Sequence, residues 1–211
     1  NNTKNISDND VRLDYNNIFS LNRIGTNEIV EGGRSVSIGL EYEKRDMQEA
    51  KIFGLNIANS ISDKKNHSLP TKSKLNEKRS DIVGNLFYSP NNILNFNYNF
   101  SYDKNLDGSN YDSISTTINM NNFITSFNFL SEDDNIGNNE VVSNTTTYKF
   151  DSENSLQFKT SKDLKNDFTE YYNLIYTYET DCLIASAEYG KKFYRDGSLV
   201  PDKSLLFTIR F

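Results

Sequence analysis

Between residues 94 and 101, Leu94, Phe96, Tyr98 and Phe100 alternate without error with Asn95, Asn97, Asn99 and Ser101. A period of two sends successive side chains to opposite faces of a strand and fits no helix, where apolar positions recur every three or four residues. The alternation returns at 35–42, with Val36, Ile38, Leu40 and Tyr42 set against Ser35, Ser37, Gly39 and Glu41, and again at 113–120. Looser versions cover 51–58, 82–88, 123–130, 145–150, 156–160, 173–179, 183–189 and 204–211. The pattern predicts an all-β chain of about eleven strands.

The connections between these strands alternate in length. Short ones fall at 43–48, 89–92, 121–122, 151–154 and 180–181, and longer, charged ones at 14–33, 61–80, 103–110, 131–138, 161–170 and 195–203. In an antiparallel up-and-down meander every second connection emerges at the same end, so this order predicts tight turns at one end and long loops at the other. That asymmetry is typical of outer-membrane barrels, with short periplasmic turns and long extracellular loops. A Greek-key sandwich has no reason to keep it.

Alternation alone does not say whether the apolar face meets a dry core or lipid. The polar face consists of small or hydrogen-bonding groups, among them Asn95, Asn97, Asn99, Ser115, Thr117, Ser186 and Glu188, which suit a wet lumen. Tyr42, Tyr88, Tyr98, Phe100, Tyr148, Tyr178 and Tyr189 stand near strand ends, where a tyrosine ring stays apolar while its hydroxyl meets water. The last strand presents Leu205, Phe207, Ile209 and Phe211 on one face and ends on an aromatic residue, as outer-membrane barrels do. Two readings stay open on residues alone: a transmembrane β-barrel, within which a general porin is one possibility, and a soluble β-rich surface-binding module. A porin constriction needs opposed charge clusters, and the polar face here is mostly neutral.

Composition narrows this further. The chain has 211 residues with 13 Tyr and 14 Phe but no Trp, 2 Met and 3 Pro, so its apolar content is aromatic and β-branched rather than helix-forming. A net charge of -6 with no cation-dense stripe argues against a nucleic-acid partner. No run approaches the roughly 18 apolar residues of a spanning helix. Residues 1–10 are polar and do not resemble a signal peptide. The single cysteine, Cys182, has no partner within the chain for a disulfide.

Catalytic and metal constellations are weak. The only histidine, His67, lies in a lysine-rich loop and reads as solvated rather than as a general base. Asp103, Asn105, Asp107 and Gly108 copy the start of an EF-hand loop, but Ile114 occupies the twelfth position and strands flank it, so a hairpin loop is expected. Glu132, Asp133 and Asp134 read as a solvated loop tip. No glycine-rich phosphate loop follows any strand. The expectation is a non-enzyme without metal or cofactor.

Two stretches carry a resemblance. Asn17, Ile18, Phe19, Ser20, Leu21, Asn22 and Arg23 are followed by Glu31, Gly32, Gly33 and Arg34 and a strand through Gly39 and Leu40. Near the other end, Tyr178, Glu179, Thr180, Asp181, Cys182 and Leu183 precede Glu188 and Tyr189, then Phe193, Tyr194, Arg195 and Asp196. Together they resemble the C-terminal part of the barrel of LptD, the family of outer-membrane LPS-assembly proteins.

The resemblance implies a lipopolysaccharide translocon in the Gram-negative outer membrane. It implies an LptE-like lipoprotein in the lumen, outer-membrane lipid around the wall, and a periplasmic LPS bridge reached through an N-terminal domain. About eleven strands that begin inside a loop do not close an even-numbered barrel, so a C-terminal fragment is expected, with 1–33 as an extracellular loop segment and 34–211 as barrel. By register Cys182 sits at a periplasmic turn, and the family's disulfide joins this turn to the periplasmic domain. Ser204, Leu205, Leu206, Phe207, Thr208, Ile209, Arg210 and Phe211 would form one side of the family's lateral gate. Asn95, Asn97, Asn99 and Glu188 are the lumen-facing candidates.

Overall fold

The computed structural model describes residues 12–21, 23, 32–67, 69, 71, 74–133, 138–194 and 200–211. Asn22, Glu31, Asp134, Arg195 and Asp196 lie outside the described residues, as does the polar stretch 1–10. The strands are β1 (Ser35–Arg45), β2 (Lys51–Ser62), β3 (Ile82–Tyr88), β4 (Leu94–Tyr102), β5 (Ser109–Met120) and β6 (Phe123–Glu132). They continue as β7 (Glu140–Lys149), β8 (Asn154–Asp163), β9 (Phe168–Glu179), β10 (Ile184–Lys192) and β11 (Asp202–Arg210). All eleven stand in one sheet in chain order, the up-and-down arrangement that the alternation predicts.

Short polar side chains close the tight turns. Asp46 Oδ1 accepts the N–H groups of Gln48 and Ala50 at 2.8 and 2.9 Å, and Asn91 Oδ1 accepts those of Ile93 and Leu94 at 3.0 Å. Asp151 does the same for Glu153 and Asn154 at 2.8 and 2.7 Å. Between β5 and β6 the turn is two residues, with Asn121 in the left-handed region (φ 48) that asparagine tolerates.

Some of the long connections are shorter than the pattern suggests. Residues 161–170 read as a loop, yet β8 runs to Asp163 and β9 begins at Phe168. Ser161 and Lys162 pair with Tyr171 and Thr169, which leaves Glu170 as an extra residue in β9, while the β7–β8 pairing runs on unbroken; the alternation breaks in β9 and hides where that strand begins. The sequence resembling an EF-hand is a hairpin loop: Asp103 N–H donates to Gly108 O at 3.0 Å, and Asp103 Oδ1 accepts Asn105 N–H at 2.8 Å.

By internal contacts the chain divides into two units. The first holds Asn1–Tyr88, Asn97–Ser113 and Ser131–Asn138; the second holds Ser89–Phe96, Ile114–Leu130 and Asn139–Phe211. In the first, Val36, Leu40 and Tyr42 face the same side as their partners Ile61, Ile57 and Leu55, while Ser37, Gly39 and Glu41 share the other side with Ser60, Ala58 and Asn56. The apolar side is bare: Val36, Ile38 and Leu40 are 61–62% exposed. In the second unit, Leu205, Phe207 and Ile209 lie opposite Tyr189, Ala187 and Ala185, and Phe207 is 69% exposed.

The buried cluster is small and sits on the polar side. Ala58 and Val83 come from the strands; Leu13, Ile18, Leu69 and Leu75 come from the segments that cross them. A soluble sheet would reverse this, since it must hide its apolar face. The placement matches a sheet whose apolar side is left for hydrocarbon.

Gly84 marks a close approach. A Cβ there would stand 2.5 Å from the Asn56 carbonyl oxygen and against Phe100 Cζ. Gly84→Leu is expected to cost about 1–3 kcal/mol through overpacking, read as a lower urea midpoint of the full-length protein in detergent. Gly108→Ala, where nothing lies within 4 Å, is expected to leave that midpoint unchanged.

Candidate functional site

The polar side of β1–β3 carries a segment laid across it. Within the segment, Asp14 Oδ1 accepts the N–H groups of Asn16 and Asn17 at 2.8 and 3.0 Å, and Ile18 N–H donates to Asp14 O at 3.1 Å. Asn17 returns the bond through Oδ1, which accepts Asp14 N–H at 2.9 Å, and its Nδ2 donates to Arg12 O at 2.9 Å. These bonds fix a turn that sends Leu13 and Ile18 inward, Ile18 to 1% exposure. Phe19 lies over Gly39, where any Cβ would clash with its ring.

Arg23 pins the far end. Its Nη2 donates to Ser35 Oγ at 2.8 Å, its Nη1 to Ser37 Oγ at 3.2 Å, and Nη1 also bonds Ser60 Oγ. Ser37 Oγ in turn donates to the carbonyl of Ile18 at 2.9 Å. Burial lowers the guanidinium pKa from its ordinary value, and the ring of hydroxyls replaces the water it has lost. Gly33 adopts φ 106, a backbone state that glycine enters without strain, and the Arg34 carbonyl after it accepts Asp63 N–H at 3.0 Å.

At the near end, the Arg12 guanidinium stacks 3.4 Å over the Tyr111 ring. Arg12, Asn16, Asn56, Asn85, Asn99 and Tyr111 help to line a polar cavity of about 270 Å³. Asn85 Nδ2 donates to Asn99 Oδ1 at 2.8 Å. Asn56 Oδ1 is buried with no hydrogen-bond donor among the described residues.

A buried carboxylate lies on the same unit. Asp81 is 4% exposed, and its Oδ2 accepts Ser101 Oγ at 3.2 Å and Asn110 Nδ2 at 2.7 Å. Desolvation pushes its pKa above the ordinary aspartate value, against the opposing pull of those two donors.

Among the residues singled out from sequence, Asn97 and Asn99 belong to the first unit, and Asn95 and Glu188 to the second. The structure joins Asn99 to Asn85 and Glu188 to Asn173, whose Nδ2 donates to Glu188 Oε1 at 2.8 Å. Cys182 is an exposed free thiol in the turn between β9 and β10. Ser204 to Arg210 lie in β11, and Phe211 follows its end. His67 is exposed. Arg12, Tyr111 and Asp81 had no local signal; Arg23 stood within a quoted stretch but its serine partners are 12–37 positions away.

A sequence model of LptD, LPS transport system D, matches residues 1–178. The chain belongs to the LptD family. No curated protein matches it. The family match covers the segment 12–23 and β1 to β8, with most of β9; Cys182, β10 and β11 lie beyond it. LptD is a component of lipopolysaccharide transport and assembly at the outer membrane, and the two-faced sheet fits that setting.

Two outcomes follow from this site. Arg23→Ala removes at least three hydrogen bonds and is expected to loosen the segment by about 1–3 kcal/mol; faster chymotrypsin cleavage after Tyr15 or Phe19 in the full-length protein would measure it. For Asp81, a folded-state pKa above the unfolded one means that folding takes up a proton. Its penalty is greatest where the group is ionised and is relieved as pH falls through the folded pKa toward the ordinary aspartate value. Asp81→Asn keeps an oxygen for Ser101 and Asn110, so a pH series of urea midpoints should show a higher midpoint at pH 7 and a flatter slope below it.

Proposed function

We propose that this chain forms part of the barrel wall of an LPS translocon that delivers lipopolysaccharide into the outer leaflet of the outer membrane. The observation that carries this reading is the division between a bare apolar side and a polar side rich in amides and hydroxyls. The apolar side faces membrane lipid. The polar side faces a lumen, where Asn85, Asn97, Asn99 and Glu188 offer hydrogen bonds to sugar or to an LptE-like lipoprotein. No bond is made or broken; the protein lowers the cost of passing a polar saccharide across a hydrocarbon layer by supplying the partners that water would.

Within this reading, Ser204 to Phe211 form one side of a lateral gate, with β10 paired along the other side of β11. The exposed thiol of Cys182 bonds to a cysteine of an N-terminal periplasmic domain, which receives LPS from the periplasmic bridge, and an oxidising periplasm permits that disulfide. The long-connection end of the strands is then extracellular.

A photo-reactive amino acid at Asn99, and separately at Tyr98, in the full-length protein in cells tests the two faces. Crosslinking of LPS at Asn99 and of membrane lipid at Tyr98 is the expected result. The reading fails if Asn99 captures no LPS or if Tyr98 captures no lipid. Cys182→Ser should also abolish a reduction-sensitive mobility shift in non-reducing electrophoresis; a wild-type protein with no such shift would remove the proposed covalent tie.

A further inference from the structure

In the β10–β11 ladder, Lys191 stands directly opposite Lys203. Like charges at opposed positions destabilise an antiparallel pair. The sequence avoids this one step further along: Lys192 faces Asp202, and that pair points to the polar side. Lys191 and Lys203 point the other way, at the head of the row in which Tyr189 faces Leu205, Ala187 faces Phe207 and Ala185 faces Ile209. Among the described residues no carboxylate forms an ion pair with either lysine.

The surroundings hold the ammonium of Lys191 in place. Its Nζ lies 4.6 Å from the Phe193 ring centroid and 5.9 Å from that of Tyr172, its neighbour on β9. The two rings are themselves 5.7 Å apart. Two cations thus cap an exposed apolar strip, with aromatic rings at the boundary. The complementary ligand has a compact anion above an apolar tail, which describes a phosphorylated lipid and not a free saccharide.

We propose that Lys191 and Lys203, with Tyr172 and Phe193 beside them, bind the phosphate group of a lipid in the outer leaflet that surrounds the long-connection end of β10 and β11. This rests on the reading above, in which the apolar side faces the membrane. The phosphate relieves the repulsion between the two ammonium groups, and the acyl chains lie along Leu205, Phe207 and Ile209. Because β11 is the strand assigned to the gate, such a lipid is held where LPS leaves the barrel.

The test compares the wild-type full-length protein with K191Q/K203Q and K191R/K203R by native mass spectrometry, using bis-phosphorylated lipid A and its dephosphorylated form as probes. Wild type and the arginine variant should retain bis-phosphorylated lipid A alike, and the glutamine variant roughly tenfold less. Dephosphorylated lipid A should not distinguish the three. Equal retention by the glutamine variant overturns the proposal. Full displacement of the lipid by millimolar inorganic phosphate also overturns it, since the site would then serve a free anion. A photo-reactive residue at Leu205 separates the two levels. If it captures lipid while the glutamine variant binds normally, only the lysine site fails; if it captures none, the membrane-facing reading fails with it.

Discussion

A backbone N–H or C=O placed in hydrocarbon has no water to turn to, and each unpaired group costs several kcal/mol. Strands that face lipid must therefore exchange all their hydrogen bonds with neighbours, and the nearest neighbour is the strand that a short turn delivers. The chain-order ladder of β1 to β11 meets that constraint. The Asp46, Asn91 and Asp151 turns serve it by satisfying the few backbone donors that the ladder leaves over at the hairpin ends. With the backbone consumed by pairing, side chains are free to differ between the two faces.

That freedom explains why the core lies where it does. In the proposed setting an apolar face in contact with lipid gains little from internal burial, so the strands carry Ile and Leu outward and keep Ser and Asn on the other side. Leu13, Ile18, Leu69 and Leu75 bring their own hydrophobic surface to that polar side and find only Ala58 and Val83 to meet. So small a cluster is a weak anchor for the crossing segment. Arg23 adds what is missing through a charged group bonded to three serine hydroxyls, each contact stronger than a neutral hydrogen bond.

The strands were legible because period two is local. Each of the eleven announces itself within eight residues, and 82–88 needed no adjustment at either end. The segment 161–170 was misread for an equally local reason: Glu170 is an extra residue in β9 opposite Ser161 and Lys162, so the residues on its two sides differ in parity and a periodic reading takes the break for a loop. The face of Asn97 and Asn99 followed from parity. Their partners did not, because Asn85 lies 14 positions before Asn99 and nothing near either residue names the other. The same holds for Asp81 with Ser101 and Asn110, and for Arg12 over Tyr111.

A lipopolysaccharide is itself divided, with sugar at one end, acyl chains at the other and phosphates between. A sheet of period two offers matching surfaces without any deep pocket: amides and hydroxyls on one side, Leu205, Phe207 and Ile209 on the other, and at the proposed outer rim the Lys191 and Lys203 pair. Repulsion within that pair would select against it on a surface that met only water or hydrocarbon. Its position at the end of an apolar row shared by β10 and β11 gives the repulsion a use. An incoming phosphate turns an unfavourable rung into a favourable one, so the strand pair closest to the proposed exit is stabilised most when lipid is present. A charge that weakens the empty ladder and strengthens the occupied one links the integrity of that edge to the cargo it releases.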